Sequence, residues 1–259
     1  MDRSIEFHEV SYRLGQHDLV KQLSLQVQSG DTLMLLGRSG CGKTTILKLI
    51  NGLLKPTSGQ VCVGGQSTAQ WDLIHLRRQI GYVIQEVGLF PHFTVTQNVG
   101  LVPSLLGWTP GQIQSRVYEL LELVGLPPAQ FAKRYPHQLS GGQRQRIGVA
   151  RALAADPPFL LMDEPFGALD SISRVDLQQE FLRIQQYLGK TIVFVTHDVQ
   201  EALLLGTKIG LVQAGKLLSF TSPQEFLASP SPEIQAFLQG FHQVAQVYRR
   251  LGQDRSGDE

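Results

Sequence analysis

Short apolar runs alternate along the chain with longer stretches in which apolar residues recur at helical spacing. The runs at residues 33–36, 159–162 and 191–195 are rich in Leu, Val and Phe and show no regular polar alternation. Such runs are typical of strands that are buried on both faces of a parallel sheet. Helical stretches at 175–188 and 199–205 follow two of these runs. The alternation predicts an α/β fold in which helices cover a parallel sheet.

Three other segments have the character of antiparallel strands. Residues 5–27 mix strand-forming residues with a turn-prone segment at 15–18, which predicts a hairpin at an edge. Residues 59–63 predict a further short strand. Residues 209–220 predict a second hairpin, closed by an Ala-Gly turn. We therefore expect an antiparallel β subdomain beside the parallel core.

Two further helices are predicted, one shortly after the apolar run at 33–36 and one near the C-terminus. One begins at Lys43 and ends near Asn51, and its inward face consists of apolar residues, namely Ile46, Leu47, Ile50 and Leu53. The other spans residues 234–251, where apolar residues again recur at helical spacing. The polar residues after it, 252–259, are predicted to be disordered.

The character of the chain changes between residues 86 and 134, where five prolines separate helical pieces. The clearest helix there is predicted at 110–124, with apolar residues facing inward. We interpret residues 86–155, approximately, as a mainly helical subdomain inserted into the α/β core.

Composition narrows the possible functions. The chain has 259 residues, with 23 Lys and Arg against 22 Asp and Glu, so its net charge of +1 gives no electrostatic reason to expect a nucleic-acid partner. Its two cysteines, Cys41 and Cys62, are not spaced for a zinc site or a disulfide framework. The first residues lack the apolar run of a signal peptide, and no apolar run approaches the roughly 18 residues of a membrane helix.

A phosphate-binding loop is predicted between the strand at 33–36 and the helix from Lys43. It matches the pattern G-x-x-x-x-G-K-[ST], and its residues are Gly37, Arg38, Ser39, Gly40, Cys41, Gly42, Lys43 and Thr44, followed by Thr45. Glycines allow successive backbone N–H groups to point at phosphate oxygens, and the helix N-terminus adds a positive end. Lys43 would reach the β- and γ-phosphates, and the Thr44 hydroxyl would bind Mg²⁺. The motif predicts nucleotide binding.

Two adjacent carboxylates, Asp163 and Glu164, follow the apolar run at 159–162. At the C-terminal end of a parallel strand beside the phosphate loop, Asp163 can hold Mg²⁺ through water. Glu164 can then orient and deprotonate an attacking water. The competing interpretation is that both acids cap the turn that Pro165 begins.

A second anion-binding device precedes a predicted helix at 144–153. Its residues are Ser140, Gly141, Gly142 and Gln143, preceded by Leu139. Ser140 is a favourable N-cap, and the paired glycines leave the helix N-terminus open to an anion. One γ-phosphate does not need two such devices from one subunit, so this one could serve the nucleotide of a neighbouring molecule. A capped helix with a flexible entry is the alternative.

The order of these motifs resembles that of ABC-transporter ATPases. The phosphate loop, Gln85, the Leu-Ser-Gly-Gly-Gln signature, the acidic pair, the Ala-Leu-Asp run ending at Asp170, and His197 follow one another as in that family. The resemblance covers about residues 4–238. It implies an ABC nucleotide-binding domain with a P-loop NTPase core of the RecA-like type.

The resemblance also implies roles for individual residues. Gln85 would bind Mg²⁺ and link the water site to the membrane partner, and His197 would contact the γ-phosphate. Asp170 would touch the other subunit of a dimer. One position departs from the family pattern, because Leu14 stands where an aromatic residue usually stacks on adenine, and Tyr12 lies two residues earlier. Either of these two residues could contact adenine.

Other classes of ABC protein fit the sequence less well. DNA-repair members carry long coiled-coil or zinc insertions between the phosphate loop and the signature, and translation-associated members carry two cassettes. This sequence contains neither feature. A non-hydrolysing ATP sensor would be favoured by loss of Glu164 or His197, and both are present. The implied protein is therefore a dimeric transport ATPase, peripheral at the cytoplasmic face of the membrane, with separate permease subunits and, indirectly, a substrate-binding protein.

Two stretches, residues 80–92 and 98–108, look like the ATPases of betaine, choline and proline uptake. This likeness implies an importer of quaternary amine osmoprotectants. An importer of another small solute, such as an amino acid or inorganic anion, is the alternative. Many of the osmoprotectant ATPases continue into paired regulatory domains. Residues 222–259 are too short for such domains, so regulation by that route is not expected.

Overall fold

The computed structural model describes residues 2–85, 87–167 and 169–239. Its strands are β1 (Ile5–Leu14), β2 (His17–Val27), β3 (Thr32–Leu36), β4 (Ser58–Val63), β5 (Gln66–Ser67), β6 (Ile80–Val83), β7 (Phe159–Asp163), β8 (Thr191–Thr196), β9 (Lys208–Gln213) and β10 (Lys216–Thr221). Its helices are α1 (Lys43–Ile50), α2 (Leu73–Arg78), α3 (Val95–Val99), α4 (Leu101–Leu105), α5 (Pro110–Leu123), α6 (Pro128–Phe131), α7 (Gly141–Leu153), α8 (Ser171–Leu188), α9 (Val199–Leu205) and α10 (Pro223–Ala228).

A six-stranded sheet in the order β10-β9-β3-β8-β7-β6 forms the core. The strands from β9 to β6 are parallel to one another, and β10 is antiparallel to β9. The three apolar runs of the sequence are therefore β3, β7 and β8, as predicted. The predicted hairpin at 209–220 is β9 and β10. Its first strand also pairs in parallel with β3, which extends the core sheet.

The strands β2, β1, β4 and β5 form a separate antiparallel sheet, which confirms the predicted hairpin at 5–27. The predicted turn at 15–18 was too long. Only Gly15 and Gln16 lie between β1 and β2, and the left-handed φ of Gly15, +60°, closes the turn. Asp18 belongs to β2, where it pairs with Arg13 across the hairpin at 2.6 Å.

Apolar side chains of the central strands alternate between two cores. Leu33 and Leu35 of β3 face the cluster shared with α1 and the antiparallel sheet. Met34 and Leu36 face the cluster shared with α5, α7 and α8. Both faces of β3 are fully covered, so its unbroken apolar run has a direct structural cause.

Helices occupy most of the chain between β6 and β7. The predicted helix at 110–124 is α5, which begins with a Thr109 capping box and ends one residue earlier than expected. The predicted helix at 175–188 is α8, which begins four residues earlier, at Ser171. The division into a core and an inserted subdomain at 86–155 remains a prediction about domains.

The expectation for Leu53 was wrong. The helix α1 ends at Ile50, Gly52 turns the chain with a left-handed φ of +65°, and the Leu53 side chain is 51% exposed. The predicted C-terminal helix is helical over residues 232–239, and its remainder and the predicted tail lie outside the described residues. Within the described ranges, no helix has both the length and the apolar character needed to cross a membrane.

Candidate functional site

The loop between β3 and α1 encloses a buried lysine. Lys43 is 4% exposed, and its Nζ donates hydrogen bonds to the carbonyl oxygens of Gly37 at 2.7 Å and Arg38 at 3.0 Å. Gly42 before it has a φ of +108°, and a Cβ there would lie 2.4 Å from the Leu19 carbonyl oxygen. The loop thus holds a positive charge at the N-terminus of α1, where an anion binds favourably.

An open cavity of about 350 Å³ lies at this loop. It is lined by Leu19, Ser39, Gly40, Gly42, Lys43, Thr44, Thr45, Gln85 and Glu164. The structure therefore brings Gln85 and Glu164 to the predicted phosphate loop. Leu19 was not predicted, because it is an ordinary apolar residue of β2 and only the packing of β2 against Gly42 places it there.

Three residues of the predicted loop do not line this cavity. Gly37 packs against β9, where a Cβ would lie 2.3 Å from the Val212 carbonyl oxygen. Arg38 and Cys41 line a different cavity of about 530 Å³, together with residues 212–214, 232–233 and 236–237. These three residues shape the loop from its other side.

Asp163 and Thr44 meet at the end of β7. The Thr44 hydroxyl donates a hydrogen bond of 3.1 Å to Asp163 Oδ1. Asp163 is 4% exposed, and burial, followed by the nearby Glu164 carboxylate, raises the pKa of its side chain. Burial and Asp163 likewise raise the pKa of Tyr82 to about 12. The site thus contains a carboxylate whose charge is poorly solvated, which is a favourable ligand for a cation.

Glu164 lies directly after β7 in a strained backbone conformation. Its φ is +45°, which is uncommon for a residue other than glycine, and its N–H donates to the Val195 carbonyl oxygen at 3.0 Å. Its Oε2 accepts a hydrogen bond of 3.4 Å from Gln85 Nε2 and lies 3.3 Å from His197 Nδ1. Two of the predicted catalytic residues, Gln85 and His197, therefore both contact the third, Glu164.

A buried glutamate that the sequence did not single out supports His197. Glu201, in the first turn of α9, is 5% exposed and accepts hydrogen bonds from Thr196 and Gln178. Burial raises the pKa of this carboxyl. The Asp198 side chain caps α9. Glu201 and the cap fix the turn between β8 and α9, which presents His197 to Glu164. Their signal in the sequence was the Asp-x-x-Glu spacing at the start of a helix.

The predicted signature forms a regular helix start. The Ser140 Oγ accepts from the Gln143 N–H at 3.2 Å, and Gln143 Oε1 accepts from the Ser140 N–H at 3.0 Å. Among the described residues that line the phosphate-loop cavity, none comes from this signature. Asp170, which precedes α8, does not line it either, and its carbonyl oxygen accepts from the Arg174 N–H at 2.9 Å. One chain therefore does not join the signature to its own phosphate loop.

The two candidates for adenine contact differ in exposure. The Leu14 side chain, at the end of β1, is 61% exposed. The Tyr12 side chain is partly buried and packs against the core shared with α1. Of the two, Leu14 has the free surface.

The oxygen atoms near Asp163 fit a hard divalent cation. Thr44 contributes a hydroxyl, Asp163 a carboxylate and Gln85 a side-chain amide, and Mg²⁺ prefers such ligands together with water and phosphate oxygens. No group of three or more His, Cys, Asp or Glu residues in the described ranges could hold a metal by itself.

Comparison with known proteins identifies the family. The ABC transporter family model matches residues 20–167. The glycine betaine/carnitine/choline transport ATP-binding protein OpuCA of Bacillus subtilis is 50% identical over 219 residues, which is 85% of this chain and 57% of that protein. The osmoprotectant import ATP-binding protein OsmV of Salmonella typhimurium is 47% identical over 239 residues, 92% of this chain and 62% of that protein.

A solved structure shows the same fold. The post-hydrolysis dimer of the ATP-binding cassette MJ0796, bound to ADP and Pi, superposes with a TM-score of 0.75 and 33% identity, covering 85% of this chain and 98% of that one. The chain spans about three fifths of the length of the two curated relatives. The family model matches more than half of the chain, which shows that this chain belongs to the ABC transporter family.

Proposed function

We propose that this chain binds ATP with Mg²⁺ and hydrolyses it to drive solute import through separate membrane subunits. The observation that supports this proposal most directly is the convergence of the phosphate loop, Gln85 and Glu164 on one cavity of about 350 Å³. Asp163 and Thr44 lie beside it with oxygen atoms suited to magnesium.

The residues present can perform each part of the reaction. Lys43 and the N-terminus of α1 bind phosphate oxygens. To do so, the Lys43 amine gives up its hydrogen bonds to the Gly37 and Arg38 carbonyl oxygens. The Mg²⁺ ion would be held by Thr44, Asp163 and Gln85, and when bound it neutralises charge on the β- and γ-phosphates. Glu164 accepts the proton of the attacking water, while Gln85 and His197 orient its carboxylate.

A second copy completes the site. The signature at the start of α7 is an anion-binding helix end that does not reach the cavity of its own chain. A head-to-tail homodimer would place Ser140, Gly141, Gly142 and Gln143 of one chain on the nucleotide of the other, with Asp170 at the contact. The dimeric MJ0796 cassette, similar in fold, provides the precedent.

The names of the curated relatives support the substrate class. Two relatives at 47–50% identity are ATP-binding proteins for osmoprotectant or glycine betaine, carnitine and choline transport. We therefore assign this chain to import of a quaternary amine or related compatible solute. In that role it binds permease subunits at the cytoplasmic face of the membrane, and a substrate-binding protein acts through them.

Two experiments test the proposal. Replacing Lys43 with Ala should weaken ATP binding about 10- to 100-fold, because a charge-assisted contact to phosphate is lost. The exposed Lys133→Ala variant is the control, and isothermal titration calorimetry is the measurement. Equal affinity of the Lys43→Ala variant and wild type would refute nucleotide binding at this loop.

For the substrate, the chain is reconstituted with its membrane subunits and binding protein, and ATPase activity is measured across a solute panel. Stimulation by glycine betaine, choline or proline is expected. Stimulation only by an amino acid or by an inorganic anion such as sulfate would refute the substrate class and leave the ATPase assignment intact.

A further inference from the structure

One face of α7 lies against the segment that follows β6. We define the Gln85 segment as Gln85 and residues 87–89. Arg151, near the end of α7, donates to the carbonyl oxygens of Val87 at 2.6 Å and Gly88 at 2.8 Å. One turn earlier, Gly148 packs so closely that a Cβ there would lie 2.6 Å from Val87 Cγ1. Two successive turns of α7 therefore hold this segment.

The next turn toward the signature presents Gln145. Gln145 comes three residues before Gly148, so these two residues lie on the same face of the helix, one turn apart. Gln145 is 3% exposed, and its Nε2 has no hydrogen-bond partner among the described residues. The residue lines a cavity of about 340 Å³ whose facing wall is the Gln85 segment. A buried amide donor thus shares a cavity with a segment whose Val87 and Gly88 carbonyl oxygens each accept one hydrogen bond from Arg151 and have capacity for a second.

The Gln85 side chain is weakly held at its functional end. Its only described hydrogen bond is the 3.4 Å contact from Nε2 to Glu164, which is long for an N–H···O bond. In the proposed reaction, the same amide supplies its oxygen to Mg²⁺ while its N–H orients the Glu164 carboxylate. The position of the Gln85 segment therefore decides whether both contacts can form together.

We propose that Gln145 is a positioning residue for Gln85. When nucleotide fills the site, the Gln145 amide donates a hydrogen bond to a main-chain carbonyl of the Gln85 segment and fixes Gln85 for magnesium binding. This inference rests on the proposed ATPase function. It gives the first two turns of α7 two roles, because the helix starts at the signature, which is proposed to meet the nucleotide of the partner, and Gln145 is one turn away.

The energetics favour such a contact. An unpaired buried amide destabilises the conformation that contains it, so a conformation that pairs this group is stabilised relative to the one described here. Replacing Gln145 with Leu removes the donor and introduces an apolar side chain of similar volume. Such a variant should not lower the stability of the nucleotide-free protein, since no described hydrogen bond of this amide N–H is lost.

The test uses the full chain with the variants Gln145→Leu and Gln145→Met. The exposed Gln114→Leu on α5 is the control for substitution on a helix. Turnover at saturating Mg–ATP should fall roughly 3- to 10-fold, as for loss of one hydrogen bond, and the Mg²⁺ concentration for half-maximal turnover should rise. ATP affinity should stay within about twofold, and the thermal midpoint without nucleotide should not fall.

A double-mutant cycle with Gln85→Ala separates positioning from a general structural effect. If Gln145 acts through Gln85, adding Gln145→Leu to Gln85→Ala causes no further loss of turnover. Multiplicative losses, unchanged turnover in Gln145→Leu, or lowered thermal midpoints in both Gln145 variants would overturn the inference. Absent turnover in wild type would overturn the proposed function and this inference with it. Normal wild-type turnover that is insensitive to Gln145 would overturn the inference alone.

Discussion

The Thr44 hydroxyl donates a hydrogen bond to Asp163 Oδ1 at 3.1 Å and so connects the first turn of α1 to the end of β7 across 119 positions of sequence. The strands β3 and β7 are not neighbours, because β8 lies between them. The contact therefore depends on the whole parallel sheet rather than on one loop. It keeps the hydroxyl and the carboxylate close enough to share a metal ion.

The buried charge of Asp163 predicts a pH-dependent effect of Asp163→Asn. Burial raises the pKa of Asp163 in the folded protein above its ordinary value of 3.8. A group with a raised folded pKa favours folding at low pH and loses that contribution as pH rises through the folded pKa. Asn does not ionise, so the variant should be more stable than wild type at pH 7, and the difference should shrink toward pH 4.

Urea midpoints of the nucleotide-free proteins at both pH values measure this effect, with the exposed Asp176→Asn as the control. A stability difference that is the same at pH 7 and pH 4 would contradict the explanation by burial. Addition of Mg–ATP should then stabilise wild type more than Asp163→Asn, since a cation compensates the buried carboxylate only where one is present.

Backbone geometry predicts opposite effects for two Gly→Ala substitutions. At Gly42, φ is +108° and a Cβ would lie 2.4 Å from the Leu19 carbonyl oxygen, so Gly42→Ala should destabilise the protein by about 1–3 kcal/mol. At Gly111, in the first turn of α5, a Cβ meets open space, so Gly111→Ala should be neutral or stabilise by up to about 1 kcal/mol. Chemical denaturation measures both, and equal effects would contradict the geometric argument.

The sequence predicted the parts of the fold that have simple patterns. The strands β3, β7 and β8 were found because both of their faces are buried, which leaves an apolar run. The strand β6 was not found, because its four residues include Gly81 and Tyr82 and lack such a run. Tertiary packing explains the glycine in this strand, because a Cβ at Gly81 would lie 2.3 Å from the Ala152 carbonyl oxygen of α7.

In the candidate site, too, some features follow from local sequence and others depend on tertiary packing. The phosphate loop and the Asp163–Glu164 pair were predicted from local chemistry, because their residue types and spacing suffice. The roles of Gln85 and His197 were implied only by the family resemblance, and their contacts with Glu164 depend on the order of strands in the sheet. Leu19 and Gln145 left no local signal, since their positions follow from packing between distant elements.

Replacing Glu164 with Gln should separate binding from hydrolysis. The variant keeps the size of the side chain but cannot accept a proton, so turnover should fall roughly 10²- to 10⁴-fold while ATP affinity is retained. It should also accumulate as an ATP-bound dimer, because the bound ATP is no longer hydrolysed and the closed dimer does not open. Phosphate release and size-exclusion chromatography with ATP are the measurements. Glu119→Gln, an exposed carboxylate on α5, is the control, and near-normal turnover of Glu164→Gln would remove Glu164 from this role.

A mixing experiment tests whether the signature serves the nucleotide of a second copy. Lys43→Ala disables the phosphate loop, and Ser140→Arg blocks the start of α7, so each homodimer has two damaged sites. In a mixed dimer with sites built across the interface, both lesions fall on one site. The other site then pairs the intact phosphate loop of the Ser140→Arg subunit with the intact signature of the Lys43→Ala subunit.

Mixing the two inactive proteins should therefore restore ATPase activity above that of either alone. If each site were built within one chain, both sites of every mixed dimer would carry one lesion and mixing would restore nothing. Activity of a Lys43→Ala and Glu164→Gln mixture provides the internal comparison, because both lesions then lie on the phosphate-loop side and no site in the mixed dimer is intact. Restored activity in the first mixture but not in the second requires the signature to act across the interface, as its separation from the phosphate-loop cavity of its own chain indicates.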